Sequence, residues 1–255
     1  AGKLVLTVST LISEDDAIWS NSDISGILAV RKSTLTSATA HGVRLFSLTG
    51  CTIEVTKSKI NAANTGVQVA DAANGGAKVT VASTDMVVGT NGFNAVGAFG
   101  GALSIAGGTI AAAATAVQAT GAVTGTFAFD AAVVTGGTRG LSIGGALSGS
   151  VKVRGGSLTG TSEHALFTMA LVSAKVTVSG ATMSGGAHAV FVNDVADAGS
   201  SVRVAGATAT AGTGHGVYLR VAFEGALSVV GGSVTAASGS AVKVDADPAQ
   251  DQVTY

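Results

Sequence analysis

Three of the four histidines in this sequence are followed, three residues later, by an aromatic: His164 by Phe167, His188 by Phe191, and His215 by Tyr218. His41 has no such partner. Imidazole accepts or donates a hydrogen bond, ligates metals and exchanges a proton near neutral pH. A neighbouring aromatic adds a flat, apolar surface suited to sugar rings and protein side chains. The three pairs are separated by 24 and 27 residues. Only a chain that returns to the same place once per interval of that length can bring them together.

Such a chain is written in the apolar residues. An apolar-x-apolar pair begins at Leu4, Leu28, Ile53, Val79, Leu103, Phe127, Val151, Val176, Val202 and Leu227, with successive starts 24 to 26 residues apart. Self-similarity at this period predicts a solenoid. In the last full repeat, Leu227 and Val229 alternate with Ser228 and Val230, as on a strand with one buried face. Gly231-Gly232 then turns the chain, and Val234 is the buried residue of a second short strand. Val242 and Val244 form the inner face of a third. Elsewhere the second strand is marked seven residues after each start, by Leu11, Leu35, Ile60, Met86, Ile110, Val134, Leu158 and Met183, weakening to Ala209 in the ninth repeat. A small residue followed by an apolar one, such as Gly66-Val67 or Ala165-Leu166, marks the third.

The pattern predicts an all-β, single-stranded parallel β-helix of about ten coils with three short strands per coil. Residues 1–255 are read as one unit, a rod of roughly 48 Å if coils stack at the usual strand spacing. Val253-Thr-Tyr255, beyond Pro248, resembles the opening of an eleventh coil. This leads to the expectation of a longer rod, or of end-to-end self-association. Glu14-Asp15-Asp16 with Trp19, the only tryptophan, is expected to form a modest cap on the first coil.

Composition narrows the function classes. Charged residues make up 11% of the chain and the formal net charge is −1, so no global field recruits nucleic acid. No apolar stretch is long enough for a membrane-spanning helix. The start, Ala-Gly-Lys-Leu-Val, lacks the plan of a signal peptide. Cys51 stands alone, which excludes an intrachain disulfide and leaves a small buried residue.

Outward positions of the three strands form three strips. The second strands carry hydroxyl pairs: Thr34/Thr36, Ser157/Thr159, Thr182/Ser184, Thr208/Thr210 and Ser233/Thr235, interrupted by Lys59/Asn61, Asp85/Val87 and Val133. The third carry His164, His188 and His215 beside Phe167, Phe191 and Tyr218, a candidate contact surface for a glycan or a matrix protein. Glu163 is the only acid close to that column, so neither a metal nor another cofactor is expected. The first strands carry Arg31, Lys78, Lys152, Arg154, Lys175 and Arg203, broken by Glu54 and Asp130. The ordinary reading of this stripe is a solvated face that blunts aggregation, and the sharper one is weak binding to anionic polysaccharide.

Several resemblances follow. Rows of Thr-x-Thr on a β-solenoid resemble ice-binding proteins, which implies an ice-ordering role for the hydroxyl strip. The coil pattern resembles the right-handed parallel β-helices of the pectin-lyase-like superfamily, whose members include polysaccharide lyases and hydrolases. Gly214-His215-Gly216 is similar to the Gly-His-Gly of polygalacturonases, but that family's Asn-Thr-Asp, Asp-Asp and Arg-x-Lys segments do not accompany it. Glycoside hydrolysis needs paired carboxylates and the lyases need clustered Asp for Ca²⁺, so no enzyme is expected, and a polysaccharide lyase or hydrolase of the β-helix class is the alternative. Repeated units such as Ala174 to Gly186 and His215 to Leu219 resemble repetitive cell-surface β-helix proteins. These include autotransporter passengers, filamentous adhesins and the dispersed gene family surface proteins of trypanosomatids. That resemblance implies a secreted or cell-surface structural or adhesive rod.

Overall fold

The computed structural model describes residues 2–220, 223–245 and 253–254; Pro248 and Tyr255 lie outside the described residues. Every regular element is a β-strand, and the strands stack as a parallel β-solenoid of about ten turns. The seventh coil shows the plan, with strands Ser150–Arg154, Ser157–Gly160 and His164–Leu171. In the fourth and fifth coils the first two strands run together as Lys78–Val88 and Ala102–Ala112. These two long strands join the first and second faces into one 19-stranded sheet, while the third face is a separate 10-stranded sheet.

The sequence period is the stacking period. Leu4 pairs with Leu28, Leu28 with Ile53, Ile53 with Val79, and so on to Leu227 with Val253, always in parallel register. Ala209, where the apolar signal weakened, still lies in register between Met183 and Val234 and is fully buried. Its methyl fills less space than its neighbours, but the ladder on both sides fixes its position.

The corner between the first and second faces has one solution repeated ten times. The residue four after each coil start has positive φ: Val8, Lys32, Lys57, Ser83, Gly107, Ala131, Gly155, Gly180, Gly206 and Gly231, between 49° and 62°. Half of these are glycine, the residue without a steric penalty there; each of the others costs about 1–2 kcal/mol. A side chain at Gly180, Gly206 or Gly231 would meet open space, so the corner constrains the backbone and not the volume.

Just inside that corner the first four coils carry a hydroxyl ladder that the periodicity did not reveal. The backbone N–H of Ser9 donates to Ser33 Oγ (3.1 Å), that of Ser33 to Ser58 Oγ (3.1 Å), and that of Ser58 to Thr84 Oγ1 (3.4 Å). Each hydroxyl in turn donates to a carbonyl two residues back, as Ser58 does to Thr56 (2.8 Å). The bend breaks the regular ladder, and these buried hydroxyls restore the missing partners.

Inside, Val, Leu, Ile and Met rows meet an aromatic plug in the middle of the rod. Phe93, Phe99 and Phe127 pack edge to face at 5.1–6.3 Å and are fully buried. Each such side chain contributes about 1.5–3 kcal/mol by leaving water. Phe99 belongs to a fourth buried row, Ile24, Leu48, Ala73, Phe99, Val123 and Leu147, linked from coil to coil by single parallel bridges. One bridge per coil is too short for an alternating pattern, so this corner is invisible to a period-two reading. Trp19 does not cap the core. Alternation in the strand Ile18–Ser20 turns it outward, 63% exposed, at the rim of a hollow of about 420 Å³ beside Ile18, Ile24 and Leu28.

Ser58→Ala removes the acceptor of the buried Ser33 N–H while adding no bulk. It is expected to lower stability by about 1–3 kcal/mol. Chemical denaturation followed by circular dichroism measures this, and an unchanged midpoint would show that water replaces the hydroxyl.

Candidate functional site

The sheet of third strands brings the expected residues together. Ser142, Phe167, Phe191, Tyr218 and Lys243 are consecutive register partners pointing away from the core, and His164 pairs with His188. His188 stacks on His164 at 5.2 Å and on His215 at 5.5 Å. Phe191 lies 5.7 Å from Phe167 and 5.1 Å from Tyr218. The Arg139 guanidinium sits 4.3 Å from the Phe167 ring centre, and Lys243 Nζ 4.8 Å from that of Tyr218. Each cation is held by an acid: Arg139 by Glu163 at 2.5 Å, Lys243 by Asp245 at 3.3 Å. Asp245 also accepts the Tyr218 hydroxyl at 2.7 Å.

The aromatic faces are therefore engaged with one another, with imidazoles and with two cations. Phe167 and Phe191 are only 7% and 8% exposed, although they point outward. Alternation predicts direction, but a stack spaced about 4.8 Å apart also covers each large side chain with the next. Ring edges, and the more open Tyr218, are what this ladder offers to solvent.

The histidine position has a backbone task. The N–H of His215 donates to His188 Nδ1 (2.8 Å), and that of Ser240 to His215 Nδ1 (2.9 Å). At the same position in the first coils, the N–H of His41 donates to Asp16 Oδ1 (3.0 Å). The side chain of one coil thus accepts from the next coil's backbone, which requires His188 and His215 to keep Nδ1 unprotonated. His164 differs. The N–H groups of Ala187 and His188 go to the Glu163 carbonyl, and His164 Nδ1 is buried without a partner. Burial, with help from His188 and Arg139 and against Glu163, pushes its pKa from 6.5 down to about 4. Burial also lowers His188, and the His215 carbonyl, 3.3 Å from its Nδ1, opposes this by favouring the protonated ring.

The Gly214-His215-Gly216 match has a packing explanation. A Cβ at Gly214 would lie 2.3 Å from His188 Cε1, and one at Gly216 2.4 Å from Val234 Cγ1. Asp197 is likewise occupied: it accepts the Ser173 N–H and the Ser200 hydroxyl, both at 2.7 Å, and the first of these chiefly holds its pKa down. Among the described residues, no group of three or more His, Cys, Asp or Glu is placed to hold a metal ion.

No protein-family model, curated protein or solved structure matches this chain.

On the second face, Ser157, Thr182, Thr208 and Ser233 form one row in register, and Thr159, Ser184, Thr210 and Thr235 the next. Thr34 and Thr36 stand apart from this array, because their register neighbours are Lys59 and Asn61. On the first face, coils seven to nine place nine outward positions in three rows: Ser150–Lys175–Ser201, Lys152–Thr177–Arg203 and Arg154–Ser179–Ala205. In the first two rows cations and hydroxyls alternate, the third runs Arg, Ser, Ala, and no acid falls among the nine. Farther up the same face Arg31 is paired with Glu54 at 2.5 Å. Two of these arrangements needed the register to be seen. A third is the outward amide row Gln68–Asn94–Gln118, for which the sequence reading had no signal beyond residue type.

As pH falls, the unfolded chain takes up protons on histidine first, because the folded pKa of His164 is depressed. The stability from keeping it neutral is complete above pH 6.5 and is lost as pH falls toward 4, on the order of 3 kcal/mol. His164→Phe keeps a ring in the stack and gives up no bond at Nδ1. It should flatten the fall in urea midpoint between about pH 7.5 and about pH 4.5; an unchanged slope would place the titration elsewhere.

Proposed function

We propose that this chain is a secreted or cell-surface structural and adhesive β-solenoid, without catalysis, that contacts a glycan or a matrix protein through coils seven to nine. The observation that supports this reading is the coincidence of three regular arrays in the same coils. There the third face carries the histidine–aromatic ladder, the second an unbroken hydroxyl array, and the first a patch of cations and hydroxyls without acids. In the third and fourth coils the corresponding second-face positions are Lys59/Asn61 and Asp85/Val87, a mixture without a repeated chemistry. Parallel register gives the repeated arrays a use, since it holds identical groups at constant intervals along a rigid axis. The ladder adds stiffness through ring stacking and two cation–π contacts, each worth about 0.5–2 kcal/mol.

The test is capture on an array of glycans and matrix proteins, followed by hydrogen–deuterium exchange on the bound complex. Binding of at least one component with protection confined to residues 150–220 supports the reading. Absence of binding, or protection centred on the second to fifth coils, overturns it.

A second reading rests on the hydroxyl array alone. Thr235 Oγ1 donates to Thr210 Oγ1 at 3.4 Å, so neighbouring rungs are close enough to share ordered water. As an ice-binding face it would produce thermal hysteresis and faceted crystals, abolished by Thr208→Lys. Unshaped ice discs from the unmodified chain would end this reading.

A further inference from the structure

We propose that the first face of coils seven to nine is a binding site for an anionic polysaccharide, a chain of pyranose rings carrying carboxylates or sulfates at regular intervals. The inference rests on the contact reading above and assigns it a face and a ligand class. Lys152, Arg154, Lys175 and Arg203 are all exposed, and none of them forms an ion pair among the described residues. The nearest acid on that face is Asp130, the register partner of Arg154 in the sixth coil; the tenth coil supplies Ala226, Ser228 and Val230. Asp130 thus flanks Arg154 at the edge of the patch, while Lys152, Lys175 and Arg203 have no acid as a register partner, in a protein whose net charge is −1.

Thr177 lies between Lys152 and Arg203, Lys175 lies between Ser150 and Ser201, and Ser179 follows Arg154 in register. Hydroxyls both donate and accept, whereas Lys and Arg only donate. A phosphodiester backbone presents acceptors, so these hydroxyls add little for nucleic acid that the cations do not already supply. A sugar acid presents anions together with hydroxyls of both kinds, which the mixture of cations and hydroxyls on this face matches. The face also lacks the aromatic platforms on which unpaired bases stack. Outward groups repeat at about 4.8 Å across coils and about 6.6 Å along a strand. One coil step is close to the length of one pyranose unit, so an extended chain can set successive anions against successive coils.

The experiment is calorimetric titration of the whole chain with polygalacturonate, dextran sulfate, neutral dextran and duplex DNA. Binding of one or both polyanions, weakening with added salt, and none of neutral dextran is expected. The two polyanions separate carboxylate from sulfate recognition. Lys175→Ala combined with Arg203→Ala should lower affinity at least tenfold, while Lys59→Ala on the second face leaves it unchanged. All three positions point outward, so an unaltered thermal midpoint confirms that the variants fold. Equal affinity of the double variant, or tighter binding of DNA than of either polysaccharide, overturns the proposal. Array capture that survives the double substitution sinks this site and leaves the contact reading standing. Polyanion binding by a chain that captures nothing on the array does the reverse.

Discussion

Parallel pairing of each coil with the next is the constraint from which the rest of the molecule follows. A single coil has three short strands and almost no interior of its own; its apolar row becomes a core only when another coil lies above or below it. The backbone ladder fixes that neighbour at one register, and a slip of one residue would turn every buried side chain outward. Leu4 through Val253 keep the register without interruption. The same ladder that builds the inside also orders the outside, so inward rows and outward rows are two consequences of one set of hydrogen bonds.

Corners are where the ladder has to be repaired, and the chain repairs each by different chemistry. Between the first and second faces it accepts a left-handed residue in every coil, with glycine at half of them. In the first four coils buried Ser and Thr hydroxyls then replace the backbone partners lost at the bend. At the entrance to the third face, Asp16, His188 and His215 take up the next coil's N–H. Two of the histidines that first looked like reactive groups thus have a structural duty, and Gly214 leaves room for the His188 ring that performs it.

The strand rows could be read from the sequence because each uses a period-two pattern repeated ten times. Coil starts, the seven-residue offset to the second strand and the small-then-apolar mark of the third all correspond to observed register partners. The small residue has a visible cause: at Gly92 an added Cβ would lie 2.2 Å from Ile110 Cγ2. What escaped the reading lies outside that pattern. The fourth row has one bridge per coil, and the hydroxyl ladder depends on residues that look solvent-loving until the bend places them inside. At the site, the alignment of His164, His188, His215 and the three aromatics was legible. Their enclosure was not, because it depends on Arg139 and Lys243 reaching across from adjacent coils.

Those two cations give the rod a sense of counting. Arg139 closes one end of the aromatic series from the sixth coil and Lys243 the other from the tenth, with one ring from each of the three coils between. A coil duplicated among the second to fifth would lengthen the rod by about 4.8 Å and leave this stretch untouched. The same duplication among the seventh to ninth would insert a rung into a closed series and change the distance between its two caps. Growth by repeat is thus permissive in one half of the molecule and measured in the other.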